Sequence, residues 1–107
     1  MNRGELWTVS GGVYAAKPRP ALIIQDDLFP ATESVVVIPL TTTTVPDAAI
    51  ARVAVPMTTG ITQPSFAMID KITTVRRSNL GARIGRVSTT LLADIERSLM
   101  VFLGLAS

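Results

Sequence analysis

Neither histidine nor cysteine occurs in this sequence of 107 residues. Without cysteine there can be no disulfide bond and no thiolate metal ligand, and without histidine a zinc site also lacks its other usual ligand. We therefore expect no resident metal and no cofactor. Any catalysis by this chain must also proceed without an imidazole as proton donor or acceptor.

The sequence is also short of charge and of long hydrophobic runs. Charged residues make up 17% of the chain and hydrophobic residues 48%, a balance typical of a folded domain with one core. No apolar run approaches the roughly 18 residues needed to cross a membrane. Arg3 and Glu5 put charge where a signal peptide would need an apolar core. We expect a single domain over residues 1–107, located in the cytoplasm.

The basic residues are mostly arginine. The net charge is only +2, but arginine far outnumbers lysine, which occurs only as Lys17 and Lys71. Arginine offers a planar fork of donors that fits phosphate or carboxylate at two points, whereas lysine offers a point charge. The bias therefore favours a partner that carries phosphate or carboxylate groups.

Short runs of β-branched and alternating residues predict a mainly β fold. Strands are expected at residues 5–9, 21–25, 35–38, 52–55, 65–69 with a continuation to about residue 77, and 82–87. The run 35–38 is β-branched throughout, so this strand should be buried on both faces. Residues 56–64 are rich in Gly, Thr and Pro, and we expect them to be mobile without a partner.

One helix is expected, at residues 89–103. Ser88 is a favourable N-cap and Gly104 a typical terminator. An apolar stripe that includes Ile95, Phe102 and Leu103 predicts that the helix packs on the strands. Together these elements predict a small twisted barrel with a C-terminal amphipathic helix as its cap.

The segment Lys17-Pro18-Arg19-Pro20 is the most informative stretch. Each proline fixes its own φ and biases the preceding residue towards extended geometry, so Arg19 is held between two stiff points at the entry to the strand 21–25. A guanidinium positioned in this way suits a phosphate, although a merely solvated strand entry would have the same sequence. Thr41 begins a run of four threonines after the strand 35–38, where a hydroxyl can donate to a phosphate oxygen.

Five separated motifs resemble the MazF/PemK family of toxin endoribonucleases. They are Arg3-Gly4-Glu5-Leu6-Trp7, Lys17-Pro18-Arg19-Pro20 before an aliphatic strand, the strand from Val35 to Leu40 followed by Thr41, Met68-Ile69-Asp70-Lys71 with Thr73-Thr74-Val75, and Gly85-Arg86-Val87-Ser88 before the helix. They occur in the family's order and cover nearly the whole chain. The resemblance implies a mainly β (α+β) fold, a small SH3-like barrel of the CcdB/MazF type with a C-terminal amphipathic helix.

The resemblance also implies a function. It implies the toxin of a type II toxin–antitoxin module, a homodimer that cleaves single-stranded RNA at short sequences without a metal. A cognate antitoxin with an acidic C-terminal tail would neutralise it. The family's catalytic pair falls on Arg19 and Thr41. In the plasmid-borne branch an arginine stands two residues before the equivalent of Asp70, but this chain has Met68 there, so that branch's proton-transfer scheme does not carry over.

Further RNA contacts are assigned to residues around this pair. Candidates for phosphates flanking the cut are Lys17, Arg76 and Arg77, although a solvated face would explain them equally well. Thr42 and Asp70 are additional RNA-binding candidates, and an ion pair with Lys71 is an equally good explanation of Asp70. Two aromatic residues in predicted loops, Tyr14 and Phe29, could stack on an unpaired base.

Two other functions stay open at this point. A gyrase-poisoning toxin of the same fold would bind a protein and would need no phosphate-directed arginine, so the presence of Arg19 with Thr41 argues against it. A catalytically silent module that only binds an antitoxin or nucleic acid is compatible with the same sequence, because fold alone does not determine function.

Overall fold

Seven strands, one α-helix and three short 3-10 turns make up the regular structure of residues 1–11, 15–44 and 51–106, which the computed structural model describes. The strands are β1 (Glu5–Gly11), β2 (Ala15–Ile23), β3 (Ser34–Thr41), β4 (Arg52–Val55), β5 (Ser65–Met68), β6 (Thr73–Arg76) and β7 (Leu80–Arg86), and the helix is α1 (Thr89–Phe102). The predicted mainly β class with a C-terminal helix is confirmed.

The sheet is antiparallel, with strand order β4-β5-β3-β2-β1-β7. Its centre is β3, which pairs with β2 and also with β5 and β6, one after the other. We expected one continuous strand where β5 and β6 lie. Instead, the 3-10 turn Ile69–Lys71 separates them, and β6 pairs with β3 in a shifted register. This inserted turn brings a lysine to the candidate site described below.

Both faces of the central strands are buried. Because successive residues of a strand point to opposite faces, Leu22 and Ile38 pack in one core with Ile95 of α1, whereas Ile23 and Val37 pack in a second core. Each fully buried aliphatic side chain contributes roughly 1.5–3 kcal/mol to stability. The prediction that the third strand is buried on both faces is therefore confirmed.

The segment after β4 contacts β7, at the other end of the sheet. The described residues contain no pairing of β4 with β7, so hydrogen bonds between strands do not close the barrel there. The 3-10 turn Met57–Thr59 lies so close to β7 that a Cβ on Gly85 would be 1.8 Å from the carbonyl oxygen of Thr59. Ile61 follows and joins the first core. The expectation of a mobile stretch at 56–64 is wrong for this part, because these contacts hold it on the sheet.

Helix α1 begins and ends as the sequence predicts. The hydroxyl of Ser88 accepts a hydrogen bond from the N–H of Leu91 at 3.0 Å, and Gly104 has a φ of +74°, which favours glycine. Ile95 is fully buried, but Phe102 and Leu103 are about half exposed. Their predicted burial is wrong, because helical periodicity gives the face of a residue and not the extent of the surface beneath it. No helix in the described residues is long and apolar enough to cross a membrane.

A buried carboxylate ties β1 to β7. Glu5 accepts hydrogen bonds from the backbone N–H of Asn2 at 2.6 Å, from Nε of Arg83 at 2.7 Å and from the indole N–H of Trp7 at 3.2 Å. Burial alone would raise the pKa of Glu5, but these donors and the positive charge of Arg83 outweigh it and lower the pKa to about 2. Glu5 therefore stays charged in the folded protein and holds the two strands together.

Candidate active site

Arg19 and Thr41 lie where the pairing between β2 and β3 stops. The two strands pair at Ile23 with Val37 and end at Ala21 with Pro39. If this antiparallel register continued, Arg19 would lie opposite Thr41. The pairing does not continue, and the prolines on both strands explain why, since a residue without an N–H cannot donate to a neighbouring strand. The unpaired strand ends form two sides of a cleft.

This cleft, which we call the Arg19 cleft, has a volume of about 470 Å³. Strands β2 and β3 contribute part of its wall, and the segment from the end of β5 to β6 contributes the rest. Its lining residues are Arg19, Pro39, Leu40, Thr41, Met68, Lys71, Thr73 and Thr74. The structure thus brings together Arg19 and Thr41, the two residues that the sequence suggests for phosphate contact.

The backbone around Arg19 differs from the expectation. We expected Lys17-Pro18-Arg19-Pro20 to precede the second strand, but these residues belong to β2, where Arg19 pairs with Val9 of β1. Because β3 does not pair with β2 here, prolines are tolerated on the open edge. Arg19 is exposed, and among the described residues its guanidinium makes no hydrogen bond or ion pair. Within this part of the chain its donors are unused, and they face the cleft that Arg19 lines.

The hydroxyl of Thr41 is oriented by its own strand end. Its Oγ1 accepts a hydrogen bond from the backbone N–H of Thr43 at 3.1 Å. This contact uses a lone pair of the oxygen and leaves the hydroxyl proton free to donate. Thr41 is half-buried, so its position is better defined than that of the exposed threonines that follow. A positioned hydroxyl that still has its proton to donate can form a hydrogen bond to a non-bridging phosphate oxygen.

Asp70 lies in an ion pair with Arg52 and does not line the cleft. Nε and Nη2 of Arg52 are 3.1 and 3.2 Å from the two carboxylate oxygens of Asp70. The alternative pairing of Asp70 with Lys71 is therefore wrong. Lys71 lines the Arg19 cleft instead and adds a second positive charge to it.

The remaining basic candidates lie outside the lining of the cleft. Arg77 donates to the backbone oxygens of Phe29 and Thr32, so its guanidinium holds the loop before β3. Arg76 is exposed and pairs in register with Ser34 of β3. Lys17 is also exposed and lies two residues before Arg19 in β2, where the register against β1 shifts. Arg77, in contrast, is engaged by the protein itself.

The other candidates are placed as follows. Thr42 follows the end of β3 and lines a separate hollow instead of the Arg19 cleft. Phe29 is 59% exposed, whereas Tyr14 lies outside the described residues.

Sequence reasoning missed the contribution of Lys71, Thr73 and Thr74 to the cleft. These residues were visible only as parts of a motif, because the alternation over residues 70–77 favours a continuous strand over the 3-10 turn that separates β5 from β6. A short interruption of an alternating strand by Asp70 and Lys71 was the available signal. The turn is what brings Lys71 and β6 to the same cleft as Arg19.

Comparison with known proteins agrees with this arrangement. A family model described as PemK-like, MazF-like toxin of type II toxin-antitoxin system matches residues 2–103. A protein of Mycolicibacterium smegmatis named probable endoribonuclease MazF is 49% identical over an alignment of 109 positions that covers 99% of each of the two chains.

Solved structures are similar over the whole chain. An endoribonuclease in complex with its cognate antitoxin from a mycobacterial species has a TM-score of 0.85 at 25% identity and covers 100% of this chain and 98% of that one. A MazE–MazF structure from Deinococcus radiodurans has a TM-score of 0.83 at 19% identity, covers 99% of this chain and 98% of that one, and supports the fold alone. Together the fold and the matches define a small, mainly β toxin. The chain belongs to the PemK/MazF family of type II toxin–antitoxin toxins.

Proposed function

We propose that this protein is the toxin of a type II toxin–antitoxin module and acts in the cytoplasm as an endoribonuclease that cleaves single-stranded RNA at short sequences. Residues 1–107 act as one domain. The convergence of Arg19 and Thr41 on one cleft carries this proposal. The relative named probable endoribonuclease MazF supports the activity. A gyrase-poisoning toxin would give no reason for a phosphate-directed arginine beside a donor hydroxyl.

The residues of the cleft match the demands of RNA cleavage. The 2′-oxygen attacks the adjacent phosphorus in line, a bond from phosphorus to the 2′-oxygen forms, and the bond to the 5′-oxygen breaks. A guanidinium is poorly matched to proton transfer near neutral pH, so we assign to Arg19 the stabilisation of the negative charge of the phosphorane. Thr41 donates to a non-bridging oxygen. The products are a 2′,3′-cyclic phosphate and a 5′-hydroxyl, and the proton lost by the 2′-oxygen is balanced by the proton gained by the 5′-oxygen.

Lys71 supplies the second cation of the cleft. Met68 occupies the place of the arginine that the plasmid-borne branch uses, and a thioether carries no charge. Lys71 lies in the same cleft wall as Met68. We assign to Lys71 the binding of a phosphate oxygen next to the scissile bond, because a lysine acts on phosphate as a point charge.

The same groups explain inhibition by an antitoxin. One structural neighbour is an endoribonuclease in complex with its cognate antitoxin. An acidic, disordered tail would offer carboxylates to Arg19 and Lys71 and exclude RNA. A competition titration between an acidic peptide and a non-cleavable RNA tests this, and simultaneous binding without mutual effect would contradict it. The protein acts as a homodimer, in which two copies build one groove, and sedimentation showing a monomer at micromolar concentration would contradict this assembly.

Cleavage of a long single-stranded RNA in the presence of EDTA tests the activity. We expect discrete fragments whose 5′ ends can be phosphorylated directly by a kinase, because the reaction leaves a 5′-hydroxyl. A mock preparation from host cells that do not express the protein, purified in parallel, reports contaminating nuclease. Intact RNA after incubation with the wild-type protein, or fragments with 5′-phosphate ends, would contradict the proposal.

A further inference from the structure

A second hollow lies beside the Arg19 cleft and has a volume of about 480 Å³. Its lining residues are Thr8, Pro20, Thr42, Ile61, Thr62, Gln63, Ser65 and Ile84. Consecutive residues of the chain line the cleft and the hollow at two places. Arg19 and Thr41 line the cleft, whereas the next residue of each strand, Pro20 or Thr42, lines the hollow. The two spaces are therefore adjacent at the same two strand ends.

The chemistry of this hollow differs from that of the cleft. None of the described residues that line it is charged, so this lining is not suited to a phosphate. Pro20, Ile61 and Ile84 give it apolar walls, and hydroxyl and amide groups interrupt those walls. A flat, neutral group with hydrogen-bonding edges fits such a lining, and in a single-stranded RNA that group is an unpaired base.

Only some of the polar groups in the hollow are available to a ligand. The hydroxyl of Thr8 accepts from the N–H of Ala82 at 2.9 Å, and the hydroxyl of Ser65 donates to the backbone oxygen of Gln63 at 3.0 Å. Among the described residues, the side chains of Gln63 and Thr42 make no hydrogen bond. The contact from Ser65 fixes the backbone of Gln63 beside the hollow, and the exposed side chain keeps its donor and acceptor unused within the described part of the chain.

We propose that this hollow is a base-binding pocket that holds one nucleobase of the RNA whose neighbouring phosphate lies in the Arg19 cleft, and that Gln63 selects the base. The inference rests on the proposed function and deepens it by assigning sequence selectivity to particular residues. An amide presents one donor and one acceptor and can pair with a base edge at two points. Thr42 adds a hydroxyl at the side nearest the cleft.

The expected effect of Gln63 is on selectivity and not on general affinity. A two-point contact with a base edge discriminates against the wrong base by about 5- to 150-fold. Arg19 touches phosphate, which all sequences share, so its loss should weaken binding of all sequences alike. The two residues therefore separate base selection from phosphate binding.

Selection from a pool of non-cleavable RNA tests the pocket. The pool carries 2′-O-methyl groups and random bases, and the bound fraction is sequenced for wild type, Gln63→Met, Arg19→Ala and Ser98→Ala. Gln63→Met keeps the length of the side chain and removes the amide. Ser98 belongs to α1, which contributes no residue to the cleft or the pocket, and serves as the control.

We expect the wild type and Ser98→Ala to enrich the same base at a position next to the scissile bond. Gln63→Met should lose this enrichment at that one position only, and Arg19→Ala should bind more weakly with the enrichment unchanged. An identical enrichment profile for Gln63→Met and wild type would overturn the pocket while leaving the endoribonuclease proposal intact. Selective binding without any cleavage of ordinary RNA would overturn the endoribonuclease proposal alone, and no binding of RNA at all would overturn both.

Discussion

Arg52 holds Asp70 at two points, with its Nε and Nη2 atoms 3.1 and 3.2 Å from the carboxylate oxygens. This ion pair joins β4 to the 3-10 turn Ile69–Lys71. The turn carries Lys71, which lines the Arg19 cleft. The pair therefore acts on the site through the position of the turn, without touching the cleft itself.

Asp70→Asn and Arg52→Gln should have the same moderate effect. Each variant breaks the ion pair, which is partly exposed and contributes up to about 1 kcal/mol to stability. Cleavage should slow a few-fold, about tenfold at most, because Lys71 is less well positioned. Thermal melts and single-turnover rates measure both effects. If Asp70→Asn abolishes cleavage while Arg52→Gln leaves it unchanged, Asp70 contacts RNA directly and the positioning role is wrong.

Thr41→Val keeps the β-branched shape and removes the hydroxyl. Since a lost donor to the transition state costs about 10²- to 10³-fold in rate, and Thr41 is one of several groups there, we expect a loss at the lower end of this range. Thr41→Ser should restore most of the rate, and Thr43→Val should have no effect because Thr43 contributes its backbone N–H. A larger loss for Thr42→Val than for Thr41→Val would show that the assignment is wrong by one residue.

Lys71 and Arg77 should differ in how they affect RNA binding. Each phosphate contact contributes about 0.7 to the slope of log affinity against log salt for a single strand. Lys71→Gln should lower the slope by about this amount, whereas Arg77→Gln should leave it unchanged and reduce stability, because Arg77 binds the loop before β3. Titrations of a non-cleavable RNA at several salt concentrations measure the slope. A lower slope for Arg77→Gln alone would contradict the placement of both residues.

Glu5 should set the acid limit of stability. Its pKa is about 2 in the folded protein against 4.5 in the unfolded chain, so its contribution is fully present above pH 4.5 and is lost as the pH falls towards 2. By linkage this contribution is about 3 kcal/mol. Glu5→Gln should remove this part of the acid dependence. Melts between pH 2 and pH 7 measure it, and an unchanged acid dependence in the variant would contradict the role of Glu5.

Much of the sheet could be predicted because local patterns determine it. The β-branched run 35–38 needs two buried faces, and β3 provides them at the centre of the sheet. Ser88 and Gly104 define the ends of the helix by local hydrogen bonding and backbone geometry. That Arg19 and Thr41 would act at one site was also predicted, from their positions at strand ends and from the resemblance to a known family.

The remaining features depend on contacts that are distant in sequence. Lys17-Pro18-Arg19-Pro20 belongs to β2 because one edge of that strand is open, and an isolated sequence does not reveal which edge lacks a partner. The packing of Thr59 against Gly85 requires the two ends of the sheet to meet. The exposure of Phe102 depends on where the core stops beneath the helix. Local propensity has no information on these three points.

The single-turnover cleavage rate of Arg19→Ala tests the central claim most directly, because the claim is that the Arg19 cleft stabilises the phosphorane. Arg19 is exposed, and its side chain makes no hydrogen bond or ion pair with the residues that the structure describes, so the variant should melt like the wild type and cleave about a hundredfold more slowly or worse. Arg19→Lys keeps the charge but loses the two-point contact, so its cleavage rate should lie between those of the wild type and Arg19→Ala. A folded Arg19→Ala variant that cleaves RNA at the wild-type rate would contradict the account.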